Sequence, residues 1–270
     1  MRVPFIKMHG LGNDFVVLDG RENALPPIGA AIAAALCDRR TGIGCDQLIV
    51  LAPSASADFR MRIFNPDGGE VEACGNASRA VALLHGRGAR VETAGGTIEV
   101  QPVGAGARID MGEPRFEWDA IPLAYPVDTA SMPVAWGDLA NPAAVNVGNP
   151  HAVFFVEDID AIPLDRLGPE IEQDPLFPER VNVNVAQVTG PASVALKVWE
   201  RGAGLTRACG TGACATAVAA IRRGLVEGRT VTVALPGGSL EIEWTDEGRV
   251  IMTGPAAESF RGTFEWDDFA

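Results

Sequence analysis

Two stretches decide how this chain is read: Ile63-Phe64-Asn65-Pro66-Asp67-Gly68-Gly69-Glu70-Val71-Glu72-Ala73-Cys74-Gly75-Asn76 and Val198-Trp199-Glu200-Arg201-Gly202-Ala203-Gly204-Leu205-Thr206-Arg207-Ala208-Cys209-Gly210-Thr211. In each, an alternating apolar run enters a glycine-containing loop, and Ala-Cys-Gly follows at the mouth of an alanine-rich helical segment. The two cysteines stand 135 residues apart in a chain of 270. That spacing predicts two copies of one unit, each offering a thiol at a helix start to one cleft.

The repeat extends outward from both stretches. Gly12-Asn13 ahead of Phe15–Leu18 is echoed by Gly148-Asn149 ahead of Ala152–Phe155, and Gln47 is matched by Asn182. The alternation of Phe59, Met61 and Ile63 returns as Val194, Leu196 and Val198, and the closing phrase 108–114 returns at 249–255. Period-two patterning predicts strands over 3–8, 15–18, 47–51 and 59–64, with hairpins at Gly95-Gly96 and Gly237-Gly238. Helices are predicted over 28–39, 76–85 and 211–223. Strands outnumber helices without alternating one for one, so the fold class is α+β, each unit a strand-rich sheet wrapped around a central helix. Each copy exceeds a hundred residues, so this is domain duplication and not a solenoid. Prolines crowd the weakly periodic stretch from Glu113 to Asn141, where the chain is expected to cross between a first domain, 1–125, and a second, 126–261.

Composition narrows the function. A hydrophobic fraction of 47% with 21% charged residues is that of an ordinary globular protein with room for two cores. A net charge of −13 and a pI near 4.7 disfavour nucleic acid or an anionic membrane as partner, since both demand clustered cations. Met1 to Asp19 reads as strand, loop and strand, not as a leader, and the longest charge-free run, Leu139 to Val156, carries two prolines and three asparagines. Neither export nor a membrane span is expected. Five cysteines without a CxxC pair argue against a disulfide scaffold and for a reducing cytoplasm.

The chemistry concentrates in the matched thiols. A cysteine preceding a helix feels the positive end of the macrodipole and unpaired amides, which favour thiolate, while Gly75-Asn76 and Gly210-Thr211 supply N–H groups able to grip a carboxylate. Two facing thiols suit one reaction above others: a thiolate removes a proton from one face of a carbon and a thiol delivers one to the other, inverting the centre. An imine electron sink would need a lysine, and of the two present, Lys7 and Lys197, the second lies inside a predicted strand. No cofactor is expected, and no metal, because neither cysteines nor histidines have ligand spacing. No Walker sequence or strand-borne GxGxxG is present. Paired amides, Asn13 with Asn149 and Gln47 with Asn182, are candidate substrate contacts or turn residues, and Asn65 is matched by Glu200. Arg201 beside Glu200 reads either as a fork for a carboxylate with a partner for an ammonium, or as a solvated ion pair. His151 reads as an orienting residue or a satisfied loop histidine; His9, His85, Cys37, Cys45 and Cys214 read as structural.

These residues resemble the diaminopimelate epimerase family of cofactor-independent racemases. The resemblance is carried by Lys7–Phe15, Gly42–Gln47, the two cysteine phrases and Asn146-Val147-Gly148-Asn149-Pro150-His151, and spans almost the whole chain. It implies interconversion of LL- and meso-diaminopimelate, a step of lysine and cell-wall biosynthesis, in a cleft between two similar domains, with the last strand, 262–270, returning to the first. It implies Cys74 and Cys209 as the acid/base pair, and Gly75, Asn76, Gly210 and Thr211 as binders of the reacting carboxylate. Asn13, Gln47, Asn65, Asn149, Asn182, Glu200 and Arg201 match the family's substrate contacts, and His151 and Glu200 its tuning positions. Departures at Ala77-Ser78 and in the loop 204–207 remove no functional group. The expected partner is the small substrate, with a homodimer left open. A proline racemase or hydroxyproline epimerase is the alternative enzyme, and a catalytically idle binding protein or a Cys-His hydrolase the alternatives of other classes.

Overall fold

The computed structural model describes residues 1–71 and 74–269. They pack as two compact units, the described residues of 1–109 with 254–269 and residues 110–253. The chain is mixed α and β, strand-rich with few helices.

The first unit opens with β1 (Arg2–Gly10), β2 (Asn13–Asp19), α1 (Ala30–Cys37), β3 (Gln47–Ala52), β4 (Phe59–Phe64) and β5 (Glu70–Val71). It continues through α2 (Gly75–His85), β6 (Ala89–Thr93), β7 (Gly96–Val103) and β8 (Gly106–Asp110). The second begins with two short strands, β9 (Ala135–Trp136) and β10 (Leu139–Ala140), then β11 (Ala143–Asn146), β12 (Pro150–Phe155), α3 (Leu164–Glu172), β13 (Asn182–Gly190), β14 (Ser193–Glu200) and β15 (Gly204–Thr206). It ends with α4 (Gly210–Arg222), β16 (Thr230–Leu235), β17 (Gly238–Trp244) and β18 (Val250–Pro255). The last strand, β19 (Ala257–Glu265), lies antiparallel to β1 from Arg2↔Glu265 to His9↔Ala257.

The duplication is visible residue by residue in the strand register. Parallel β2 and β3 pair Phe15 with Gln47, and parallel β12 and β13 pair His151 with Asn182. Such parallel neighbours need a crossover, which α1 and α3 provide. The antiparallel β3–β4 pair Leu48↔Phe64 returns as Val183↔Trp199 in β13–β14, and Ile63↔Val71 in β4–β5 returns as Val198↔Thr206 in β14–β15. After the cysteine helices the pattern holds again, the hairpin pair Thr93↔Gly96 matching Leu235↔Gly238.

Burial explains the runs of apolar sequence. Phe15, Val16, Val17 and Leu18 are all inaccessible, because β2 is covered on both faces. One face, with Val16, Leu18, Leu48 and Val50, packs on Ala33, Leu36, Phe264 and Trp266. In α2 every residue from Gly75 to Ala82 is buried, and in α4 every residue from Gly212 to Ala220, the pattern of a central helix enclosed on all sides. The aperiodic stretch after Glu113 is core rather than loose chain: Ile121, Leu123, Met132, Trp136 and Leu139 cluster with Phe154, Leu167 and Ile171. Helix α1 starts at Ala30, later than the apolar pattern over 28–39, and ends early at Cys37, where the Asp38 carboxylate accepts the amides of the turn that follows.

The Asn65–Gly68 turn sets the entry to the first cysteine loop. Gly68 adopts φ 84°, its amide bonds the Asn65 carbonyl at 2.9 Å, and a Cβ there would stand 2.2 Å from the Ala30 carbonyl oxygen. Gly68→Ala is therefore expected to destabilise the protein by about 2 kcal/mol or more, from the left-handed backbone and the overlap together. Urea unfolding of the two proteins checks this, and an unchanged midpoint would contradict it.

Candidate active site

In the first unit β4 and β5 carry the chain to α2, and Cys74 is the residue that caps it. Its backbone is extended (φ −147°, ψ 110°), which turns the side chain back over the first helical turn, where Sγ accepts the Ala77 amide at 3.5 Å. The sulfur thus sits where the helix presents unpaired N–H groups and positive potential. Asn13 Oδ1 lies 4.0 Å from that sulfur and accepts from Asn76 Nδ2 at 3.0 Å, while Asn13 Nδ2 donates to Asp46 at 3.0 Å. Behind them is Arg79, fully buried, whose Nη2 donates to Asn76 Oδ1 at 2.7 Å and whose Nε donates to the Pro255 carbonyl at 3.3 Å. Gln47 donates from Nε2 to Asn65 Oδ1 at 3.0 Å.

The loop holding Asn13 is braced by charge. Asp14 pairs with Lys7 and with Arg39, each at 2.5 Å, and Arg39 also reaches Asp46 at 2.7 Å. Burial pushes the Asp14 carboxyl up, but the hydrogen bonds from Arg39 and Lys7 outweigh it and hold the group well below the usual carboxylate range.

The second unit repeats the device with different neighbours. Cys209 caps α4 with the same extended backbone (φ −126°, ψ 108°), and its Sγ accepts the Gly212 amide at 3.4 Å and lies 3.6 Å from Thr211 Oγ1. This thiol is buried, where Cys74 is partly exposed. Burial, and then the nearby Glu200 charge, push its pKa well above the ordinary thiol value, so it holds its proton. Glu200 accepts from Thr206 Oγ1 at 2.5 Å. Asn182 Nδ2 donates to the Pro150 carbonyl at 2.8 Å and its Oδ1 receives the Arg201 amide at 3.0 Å, fixing the start of the loop. The exposed Arg201 guanidinium donates to the Glu179 carbonyl at 2.9 Å. His151, wholly buried, lies between Asn149 Oδ1 at 2.9 Å and Asn184 Nδ2 at 3.0 Å. Burial, with help from the Arg201 charge, pulls its pKa down to about 3, so the ring is neutral.

The candidate residues thus gather into two groups. Asn13, Gln47, Asn65, Cys74, Gly75 and Asn76 belong to the first unit; Asn149, His151, Asn182, Glu200, Arg201, Cys209, Gly210 and Thr211 belong to the second. Of the other cysteines, Cys37 and Cys45 are buried against each other with sulfurs 3.5 Å apart, and Cys214 is buried within α4. Three contributors escape the sequence reading. Arg79 looks like an ordinary helix-surface cation, and Asp46 like a turn residue. Asn184 does carry a signal: it is an amide in the Val-Asn-Val-Asn-Val run, a residue type disfavoured in strands.

The diaminopimelate epimerase family model matches residues 5–117 and 143–258. A diaminopimelate epimerase of Erythrobacter litoralis is 70% identical over all 270 residues, covering 100% of both chains. Another, from Rhizorhabdus wittichii, is 62% identical over 96% of this chain and 94% of its own. Among solved structures, a phenazine biosynthesis protein of the PhzF family from Enterococcus faecalis superposes with a TM-score of 0.71 at 16% identity, over 98% of this chain and 100% of its own. A probable proline racemase from Agrobacterium radiobacter gives 0.70, also at 16%, over 99% and 94%. At that identity the likeness is one of fold.

The neutral, buried imidazole links stability to pH. Unfolded, His151 titrates near 6.5; folded, near 3. Between those values the unfolded chain binds the proton that the native one refuses, so acidification costs about 1.4 kcal/mol per pH unit. Moving from pH 7 to pH 5 is expected to cost the wild type about 2 kcal/mol more than His151→Gln, read from urea midpoints. An equal loss in both proteins would contradict the buried neutral ring.

Proposed function

The chain belongs to the diaminopimelate epimerase family, and on that premise we propose that Cys74 and Cys209 act on opposite faces of one substrate carbon to interconvert LL- and meso-diaminopimelate. The enzyme is an isomerase of a cofactor-independent family whose reaction serves lysine biosynthesis; a role in supplying cell-wall precursors is part of the proposal. The observation that carries the mechanism is the pair of cysteine caps, each with its sulfur folded onto the first turn of a buried helix.

Cys209, buried beside Glu200, is the resting thiol and donates a proton; Cys74 is the base. The Cys74 thiolate takes the α-proton, the C–H electron pair delocalises onto the carboxylate, and Cys209 delivers its proton to the other face. The reverse reaction exchanges the roles. Negative charge accumulating on the carboxylate oxygens calls for preorganised donors, a part that the amides of Gly75, Asn76, Gly210 and Thr211 are suited to play at two helix starts. Thr211 also contributes a hydroxyl beside the Cys209 sulfur. Asn13, Gln47, Asn65, Asn149 and Asn182 are assigned to the polar groups of the substrate, His151 to holding Asn149, and Glu200 to the ammonium. Arg201, whose exposed guanidinium donates to the Glu179 carbonyl, is assigned to the distant carboxylate.

The structural likeness to a proline racemase and to a hydroxyproline epimerase from Agrobacterium vitis makes a cyclic imino acid the second reading. Glu200 and Arg201 speak against it, since such a substrate has no second amino-acid head for them to hold.

With LL-diaminopimelate in heavy water, turnover is expected to place solvent deuterium at the inverted α-carbon. Cys74→Ala and Cys209→Ala should each lower kcat at least about a hundredfold. Arg201→Met should raise KM for diaminopimelate tenfold or more. Inversion without solvent exchange, or either alanine variant keeping wild-type turnover, would sink the two-base reading.

A further inference from the structure

The duplication supplies an internal control for every buried residue, because each half shows what the same position needs for the fold alone. Register equates Phe15 with His151 and Ile49 with Asn184: Phe15 lies opposite Gln47 as His151 lies opposite Asn182, and Ile49 opposite Ile63 as Asn184 opposite Val198. All four are inaccessible to solvent. One half fills this site with two hydrocarbons and the other with an imidazole and an amide, whose burial costs free energy that hydrocarbons do not incur. The fold therefore does not require the polar pair.

The hydrogen bonds show what the pair does. Asn184 Nδ2 faces two atoms, the Ala152 carbonyl oxygen at 3.3 Å and His151 Nδ1 at 3.0 Å. A carbonyl oxygen only accepts, so the atom facing both is the amide nitrogen, and its two hydrogens go one to each. His151 Nδ1 thus carries a lone pair, and the single proton of a neutral ring sits on Nε2, which donates to Asn149 Oδ1 at 2.9 Å. With its oxygen so occupied, Asn149 has its NH2 group left to offer. The other end of Asn184 abuts the thiol loop: a methyl group on Gly212 would stand 2.8 Å from Asn184 Oδ1 and 3.2 Å from Cys209 Sγ. That Oδ1 is buried and has no hydrogen-bond partner among the described residues.

We propose that Asn184 is a positioning residue for epimerisation: by donating to His151 Nδ1 it locks the Nε2–H tautomer, which orients the Asn149 amide toward substrate as a donor. The assignment rests on reading Asn149 as a substrate contact, and its test separates the two ideas. It also explains why a neutral histidine, unable to exchange protons near neutrality, occupies this place: it serves as a fixed relay of hydrogen-bond direction.

The experiment is long-range proton–nitrogen NMR of the 15N-labelled full chain near pH 7, combined with kinetics on diaminopimelate. The chain has three histidines, so His9→Gln and His85→Gln variants assign the His151 signals. In the wild type His151 is expected to show a protonated Nε2 and a bare Nδ1. Asn184→Ile, which installs the residue that the first half carries, should melt within a few degrees of wild type yet populate both tautomers, with kcat/KM down tenfold or more. Asn184→Asp, accepting where the amide donated, should move the proton onto Nδ1 and lower kcat/KM at least as far. A wild-type His151 protonated on Nδ1 would overturn the proposal whether or not any variant folds. So would either folded variant with the wild-type tautomer and kinetics within twofold of wild type. A wild type inactive on diaminopimelate would refute the substrate assignment while leaving the tautomer result readable.

Discussion

A helix that begins with a cysteine in extended conformation has its own first turn as the sulfur's hydrogen-bond partner, and the rest of this structure serves that arrangement twice. The Ala77 and Gly212 amides reach the two sulfurs at 3.5 and 3.4 Å. Such contacts cap a helix only weakly, so packing must hold the helices in place. Enclosure on all sides does so. Alanine and glycine make up half of the buried residues of α2 and most of those of α4, which lets strands approach closely, and a helix that touches protein all round has little freedom to shift its N-terminus.

From this common scaffold the two halves have diverged in charge. Position 79 of α2 is a buried arginine, and the equivalent place in α4 is Cys214. Position 65 is an asparagine, and its equivalent is Glu200, whose charge adds to burial in keeping the proton on Cys209. A buried cation thus stands behind Asn76 in the first unit, and a carboxylate beside the thiol in the second. On the proposed two-base reading, which needs one base and one acid at the same moment, that difference matters more than the symmetry. The proton on Cys209 is held there by its surroundings, as with other titratable groups whose state is set by environment.

Strand runs that alternate, such as Phe59–Phe64, and runs wholly apolar, such as those of β2 and β3, were legible because each reports directly how many faces of a strand are covered. Helices α2 and α4 were legible within a residue at each end, since a cysteine-glycine start and a run of alanines leave few other conformations. The stretch after Glu113 was not: its core residues are spaced by turns and prolines, and burial without a period leaves no pattern to read. Arg79, as one more cation on a helix, gave no hint of lying at the bottom of the Asn13–Asn76 network.

By itself, the order of residues determined the duplication, the α+β class, the family and the list of groups able to do chemistry, because all of these depend on residue type and spacing along the chain. Tertiary structure alone decided what state those groups are in. Whether a thiol keeps its proton, whether a histidine is charged and which of its nitrogens carries hydrogen depend on burial and on partners distant in sequence. Asp46 beside Asn13 and Asn184 beside His151 become neighbours only when strands pair across the sheet, and Glu200 meets Cys209 only when the β14–β15 hairpin between them folds.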